Sequence, residues 1–251
     1  MEIFHDKFSF NSQITNMKIT ALLITIVFAT STVGLANPQE SLSTATSHQT
    51  LPNILFIVSD DHGWGDLPSN WGKTEVQLPT LETLAAKGVR FPNYHTVPLC
   101  GPSRACMFTG QYSTENGMWR GPGKQPLGSQ GYRGIKRDVK MLSEHLQESG
   151  YKTGAFGKWH MGSLNGEVPS DRGFDEFHGN LYHLNAEEEP ENEDYPKDPR
   201  FREQLGPRGV IHSYADGKIE DTGALTKKRM ETVDQEFVDS ALNFMDRSAK
   251  A

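Results

Sequence analysis

Uninterrupted and periodic apolar segments alternate along this chain. Residues 53–59 form an apolar run rich in β-branched side chains, which predicts a strand buried on both faces of a parallel sheet. Residues 79–88 carry the early proline and acid, late lysine and terminal glycine typical of a short helix. An extended segment returns over 89–94, a further helix is predicted over 138–149, with Asp138 as its N-cap, and a further strand over 151–156. This order predicts an α/β layered fold with a mainly parallel central sheet flanked by helices.

The last predicted helix begins near Thr226 and is amphipathic. Its apolar face is formed by Met230, Val233, Phe237, Val238, Ala241, Leu242 and Met245. Such a face requires a partner surface. No further strand is predicted before Ala251, so we expect a β-α-β crossover that is opened but not closed within these residues.

The N-terminal residues have the pattern of an export signal. From Met17, a basic start and a short apolar run lead to small residues ending at Ala36, which predicts a signal peptide over 1–36, with Met17 as an alternative start. The apolar run is short for a membrane span. Residues 37–50 are rich in Ser, Thr and Gln and predict a flexible lead-in to a folded part that begins near 51. The expected location is the periplasm or the outside of the cell.

Composition and charge narrow the classes of function. The chain has 251 residues, of which 35% are hydrophobic and 23% charged, as in a globular protein. A formal net charge of −7 excludes a general attraction to nucleic acid or to an anionic membrane surface. An anionic substrate would therefore need local positive charge. The two cysteines, Cys100 and Cys106, are too few for a disulfide framework.

Two adjacent acids, Asp60 and Asp61, follow the first predicted strand. Ligands gather at the carboxyl ends of strands in α/β folds, and glycines at 63 and 65 permit the turn that would let both carboxylates reach one ion. Hard oxygen ligands suit Ca²⁺ or Mg²⁺. A solvated turn capped by an aspartate is the alternative interpretation.

Cys100 precedes a Gly-Pro turn that runs into an apolar, helix-compatible segment. This position lies near a helix N-terminus, where free N–H groups favour negative charge, so a reactive thiol is one interpretation. A small packed side chain in a loop is the other.

Lys158 and His160 follow the predicted strand at 151–156 and are bracketed by Gly157 and Gly162. In extended geometry their side chains would point to one face, which makes them candidates for a site at the same sheet edge as the aspartates. Ordinary solvent-facing positions are the alternative.

Three motifs, in this order along the chain, resemble those of type I sulfatases, which belong to the alkaline phosphatase superfamily. Residues 53–61 are similar to the first strand and metal-binding turn of that family. Cys100-Gly-Pro-Ser-Arg104 is similar to the Cys-x-Pro-x-Arg signature. Residues 157–162 are similar to Gly-Lys-Trp-His-Leu-Gly, with Met161 in place of leucine. The resemblance covers residues 51–251.

The resemblance implies a cofactor chemistry. A maturation enzyme would oxidise Cys100 to formylglycine, whose hydrated aldehyde would be the nucleophile. Asp60, Asp61 and the modified Cys100 would bind a divalent metal, usually Ca²⁺, with Mg²⁺ as the alternative. Arg104 would hold the modified side chain. The implied catalytic residues are Cys100, Arg104, Lys158 and His160, of which the last two would contact the sulfate and the nucleophile.

The function implied by the resemblance is hydrolysis of the sulfate monoester of a small molecule or glycan. A phosphomonoester or phosphodiester hydrolase of the same superfamily is one alternative, although such enzymes typically present Ser or Thr as the nucleophile. An inactive, metal-binding fragment is another. The Asp-Asn metal pair, the further Lys and the further His of the family have no match here, so the chain is expected to be the N-terminal part of a sulfatase domain, without nucleic-acid partners or a stable membrane anchor.

Overall fold

The computed structural model describes residues 51–70, 72, 76–119, 134–163 and 166–250. The predicted signal peptide and lead-in lie outside these ranges. The chain divides into two compact units, of which the first ends at Asp60 and the second begins at Asp61. No helix in the described ranges is long and apolar enough to cross a membrane.

The second unit contains eight α-helices and four strands within the described residues. The helices are α1 (Pro79–Lys87), α2 (Cys100–Thr109), α3 (Ser113–Asn116), α4 (Leu142–Glu148), α5 (Leu184–Glu188), α6 (Pro199–Leu205), α7 (Lys227–Met230) and α8 (Val233–Ser248). The strands are β1 (Gly154–Phe156), β2 (Glu176–Asn180), β3 (Val210–Tyr214) and β4 (Ile219–Gly223). Short 3₁₀ turns lie at Trp64–Asp66, Pro68–Asn70, Pro169–Asp171 and Glu189–Glu191.

The α/β class is confirmed, but the described sheet is mixed rather than mainly parallel. Its order is β1-β2-β3-β4, with β1 parallel to β2 and the other two pairs antiparallel. A tight turn joins β3 to β4, in which Gly217 has a φ of 85° and donates its N–H to the Tyr214 carbonyl at 3.0 Å. The Asp216-Gly217 dipeptide is a hairpin signal, and a hairpin forces antiparallel pairing.

The predicted strand at 53–59 is wrong for this structure, because residues 51–59 have no regular secondary structure. Most of their apolar side chains are exposed, as in Ile54 at 56% and Ile57 at 74%. An apolar run encodes a preference for burial, but a strand also needs a neighbouring strand to bond its backbone groups.

The three predicted helices occur in the structure, and two of them have altered bounds. Helix α1 matches its prediction, whereas α4 begins at Leu142, because Glu144 accepts the Met141 N–H at 2.7 Å and caps the helix there. The helix predicted from Thr226 is divided into α7 and α8.

The main apolar core surrounds Trp159, which is 2% exposed. Its indole makes edge-to-face contacts with Phe108 of α2, with Phe177 of β2 and with Phe174, which precedes β2. The indole N–H donates to the Glu167 carbonyl at 3.0 Å, so the polar end of the ring is also satisfied. The chain on either side of Trp159 is therefore held firmly against the sheet and α2.

Candidate active site

Helix α2 places Cys100 in its first turn, as the sequence predicts. The helix begins at Cys100 itself, follows an extended Leu99, and ends where Gly110 takes a φ of 66° and donates its N–H to the Cys106 carbonyl at 2.9 Å. Cys100 and Cys106 are both half-buried free thiols. Only Cys100 stands at the positive end of the helix macrodipole, where negative charge is favoured.

The segment 157–160 runs alongside the chain that leaves β2. Parallel pairing of β1 with β2 continues past the strand ends, as the Trp159 N–H donates to the Asn180 carbonyl at 2.9 Å and the His160 N–H to the Leu181 carbonyl at 3.2 Å. This register carries His160 to the carboxyl edge of the β1–β2 pair, the kind of edge at which α/β folds bind ligands.

His160 meets Cys100 at this edge. The Cys100 Sγ lies 3.2 Å from His160 Nδ1, and the histidine is only 7% exposed. His160 has a φ of 55°, a conformation unusual for a non-glycine residue and one that marks a position fixed by its surroundings. A Cβ at position 101 would lie 3.1 Å from the His160 carbonyl oxygen, so the glycine there permits the two segments to approach closely.

Arg104 and Lys158 complete the group. Arg104 lies one helical turn after Cys100, is 8% exposed, and donates from Nη1 to the Lys158 carbonyl oxygen at 2.7 Å. The four residues that the resemblance implies to be catalytic are linked by two contacts, one between the Cys100 and His160 side chains and one from Arg104 to the Lys158 backbone.

The metal site stays a prediction. Asp60 ends the first unit and Asp61 begins the second; both are exposed, and Asp61 has a φ of 54°. Their carboxylates suit a hard divalent cation. Among the residues that the structure describes, however, no three His, Cys, Asp or Glu side chains are grouped so as to hold a metal.

Sequence reasoning missed His183, whose ring contacts that of His160 with centroids 5.4 Å apart. Tyr182, next to it, is buried, and its hydroxyl lies 3.2 Å from Ser163 Oγ. Burial raises the pKa of this phenol. The parallel register of β1 and β2 is the signal that could have found His183, since it aligns the residues after Asn180 with those after Lys158.

Comparison with known proteins identifies the class. The model of the sulfatase family matches residues 52–251, so the chain belongs to the sulfatase family. The crystal structure of PsFucS1 sulfatase from Pseudoalteromonas sp. superimposes with a TM-score of 0.62 at 24% identity, covering 76% of this chain and 39% of that chain. The fold of the described residues is therefore that of part of a sulfatase.

Two human proteins show the extent of the likeness. The chain is 39% identical to arylsulfatase G of Homo sapiens over 132 residues, which are 52% of this chain and 24% of that protein. It is 37% identical to N-acetylgalactosamine-6-sulfatase of Homo sapiens over 135 residues, or 51% of this chain and 25% of that protein. The matched segment is thus about a quarter of the length of these relatives.

Proposed function

We propose that this chain carries the nucleophile centre of a sulfate monoester hydrolase, with Cys100 as the residue that is matured into the nucleophile. The observation that carries the proposal is the contact between Cys100 Sγ and His160 Nδ1 at 3.2 Å, at the start of a helix in a chain of the sulfatase family. A half-buried thiol beside an imidazole at the start of a helix is in an environment typical of reactive cysteines.

Each of the other residues has a role in this proposal. Arg104, held in place by the Lys158 carbonyl, supplies a fixed guanidinium one turn behind Cys100. Together with the Lys158 ammonium, it provides the local positive charge that a sulfate ester needs in a protein of net charge −7. His160 moves or holds the proton at position 100 through Nδ1.

The residue at position 100 fits the proposed maturation to formylglycine. Cys100 is a free, half-buried thiol. Once formed, the hydrated aldehyde would supply one hydroxyl that attacks sulfur as the ester bond to the leaving alcohol breaks, and a second whose deprotonation would cleave the remaining C–O bond, release sulfate and restore the aldehyde. Gly101 leaves room for His160 to remain against the altered side chain.

A divalent cation, Ca²⁺ in preference to Mg²⁺, is proposed at Asp60 and Asp61. The support is the chemistry of two adjacent carboxylates. Among the described residues, no three His, Cys, Asp or Glu side chains are gathered around these two aspartates.

The substrate, the partner and the cellular location of this protein are also proposed. We propose a sulfated small molecule or glycan as substrate and a formylglycine-generating enzyme as a transient partner. Export to the periplasm or beyond the cell rests on the signal-peptide pattern of residues 1–36.

Reaction class is tested by comparing two esters of the same phenol. The full chain, produced together with a formylglycine-generating enzyme and supplied with Ca²⁺, is assayed with an aryl sulfate and with the matching aryl phosphate. We expect a higher kcat/KM for the sulfate. A preference for the phosphate, or no hydrolysis of the sulfate, would contradict the proposal.

A further inference from the structure

His183 belongs to none of the three motifs, and its ring contacts that of His160. The two imidazole rings meet edge to face, with centroids 5.4 Å apart and planes inclined at 66°. His183 is half-buried and lies three residues beyond the end of β2. It is thus a second histidine at the Cys100 centre, joined to Cys100 through His160.

The ring of His183 is fixed by the backbone of the following helix. Its Nδ1 accepts the N–H of Ala186, in the first turn of α5, at 3.2 Å. A nitrogen that accepts a hydrogen bond carries no proton, so the neutral ring bears its proton on Nε2. The side chain is therefore held in one tautomer and orientation while its ring contacts His160.

The backbone links the two histidines as well. The His160 N–H donates to the Leu181 carbonyl at 3.2 Å, two residues before His183. Tyr182 lies between Leu181 and His183 in the sequence, and its hydroxyl is anchored by Ser163 Oγ at 3.2 Å. Movement of the 181–183 segment would consequently disturb both the main chain and the ring of His160.

We propose that His183 is a positioning residue for His160. Its ring supports one side of the His160 imidazole, so that Nδ1 of His160 stays directed at the side chain of residue 100. Edge-to-face packing of aromatic rings is favourable and restricts ring rotation. This role rests on the proposed function where turnover is concerned, but the support of His160 is measurable in the unmatured chain.

Two substitutions separate the ring from the helix cap. His183→Phe keeps an aromatic ring against His160 and loses the acceptor for Ala186. His183→Asn keeps a side-chain acceptor at the start of α5 and loses the ring. A residue that only capped α5 would tolerate asparagine and not phenylalanine, whereas the positioning role predicts the reverse for the Cys100 centre.

The test measures alkylation of Cys100 by iodoacetamide in the full, unmatured chain, with Cys106 in the same molecule as the internal reference. The alkylation rate of Cys100 depends on the imidazole beside its thiol. The His160→Gln variant therefore gives the alkylation rate expected when the contact between Cys100 and His160 is lost. We expect His183→Asn to move the Cys100 rate about 3- to 10-fold toward that value. His183→Phe should retain most of the wild-type rate.

Two outcomes overturn the proposal: a wild-type Cys100 rate in His183→Asn, or an equal change in both variants. Folding is checked by denaturation, where only His183→Phe should lose the cap. A ring-dependent alkylation rate in a chain whose matured form releases no sulfate would support the positioning of His160 and contradict the proposed function. The two failures are thereby distinguishable.

Discussion

Cys100 Sγ and His160 Nδ1 lie 3.2 Å apart although 60 residues separate them in the sequence. Helix α2 fixes one partner, and the continued parallel register of β1 and β2 fixes the other. The contact therefore joins two separate supports, so either residue can be changed without removing the element that carries the other.

Replacement of His160 should impair turnover more than folding. We expect His160→Ala to lower kcat on an aryl sulfate by about 10²- to 10³-fold, because a positioned imidazole is removed from the proposed nucleophile at position 100. The matched control is His145→Ala, an exposed histidine of α4, which should leave kcat unchanged. Equal kcat values for the two variants would contradict the role given to His160.

Arg172 is predicted to be structural. It is 3% exposed and donates to the carbonyls of Ile135 and Val139 at 3.2 and 2.6 Å and to Glu144 at 3.2 Å. Arg172→Ala should lower the free energy of unfolding by about 3 kcal/mol, because these buried acceptors lose their donor.

A surface arginine provides the control for that measurement. Arg208 pairs with Asp221 at 2.6 Å, but both side chains are largely exposed. Arg208→Ala should therefore cost at most about 1 kcal/mol in urea denaturation. If Arg172→Ala and Arg208→Ala lost similar free energies of unfolding, the structural role given to the buried Arg172 would be contradicted.

Stability should fall as the pH rises from acidic values to neutrality because of Glu187. Its side chain is 3% exposed, and neither carboxylate oxygen has a well-formed hydrogen bond within the described part of the chain. Burial raises its pKa from 4.5 to about 7, with a small opposing effect of the Gly209 backbone. A carboxyl whose pKa is raised on folding stabilises the protein while protonated, so that stability is lost as the pH rises from 4.5 through about 7.

Urea denaturation of Glu187→Gln at several pH values measures this effect. Between about pH 5 and pH 8, the wild type should lose on the order of 3 kcal/mol relative to the variant. Parallel stability curves for the two proteins would contradict the assignment.

Glu187 lies in a stretch whose acidic composition favours a solvated loop. Its burial follows from the packing of α5, which local charge does not encode.

Acid should weaken the packing of α8 on the sheet. His178 of β2 stacks on His212 of β3 with ring centroids 4.9 Å apart, and its Nδ1 lies 2.7 Å from Ser240 Oγ of α8. Burial, and next the neighbouring His212, lower the pKa of His178 below its usual value of 6.5. Glu236 lies 3.2 Å from His178 and partly opposes this shift.

The surrounding charges are paired among themselves. Glu176 contacts His212 at 3.0 Å and Arg247 of α8 at 2.6 Å. The Tyr214 hydroxyl lies 3.2 Å from His212. Arg229 forms an ion pair with Glu236. Because the unfolded chain protonates His178 more readily, stability should decline as the pH falls below 6.5. His178→Gln should flatten this decline in denaturation curves; an unchanged slope would contradict it.

The sequence predicts the elements whose signals are local. Gly88 marks the end of α1, and the position of His160 after a predicted strand made it a candidate, because each signal depends on neighbouring residues. The strand at 53–59 fails because strand formation depends on pairing partners, and His183 is missed because only the register of two strands brings it to His160. Local residue types left the roles of Cys100, Lys158 and His160 open, and the resemblance to type I sulfatases implied them, whereas long-range pairing determines their surroundings.

Sulfate release by the Cys100→Ala variant tests the central claim most directly. The matured full chain, Cys100→Ala and the matched control Cys106→Ala are assayed under the same conditions with an aryl sulfate and Ca²⁺. We predict that Cys106→Ala releases sulfate as the wild type does and that Cys100→Ala is slower by about 10³-fold or more. Equal sulfate release by the two variants would contradict the assignment of Cys100 as the nucleophile position.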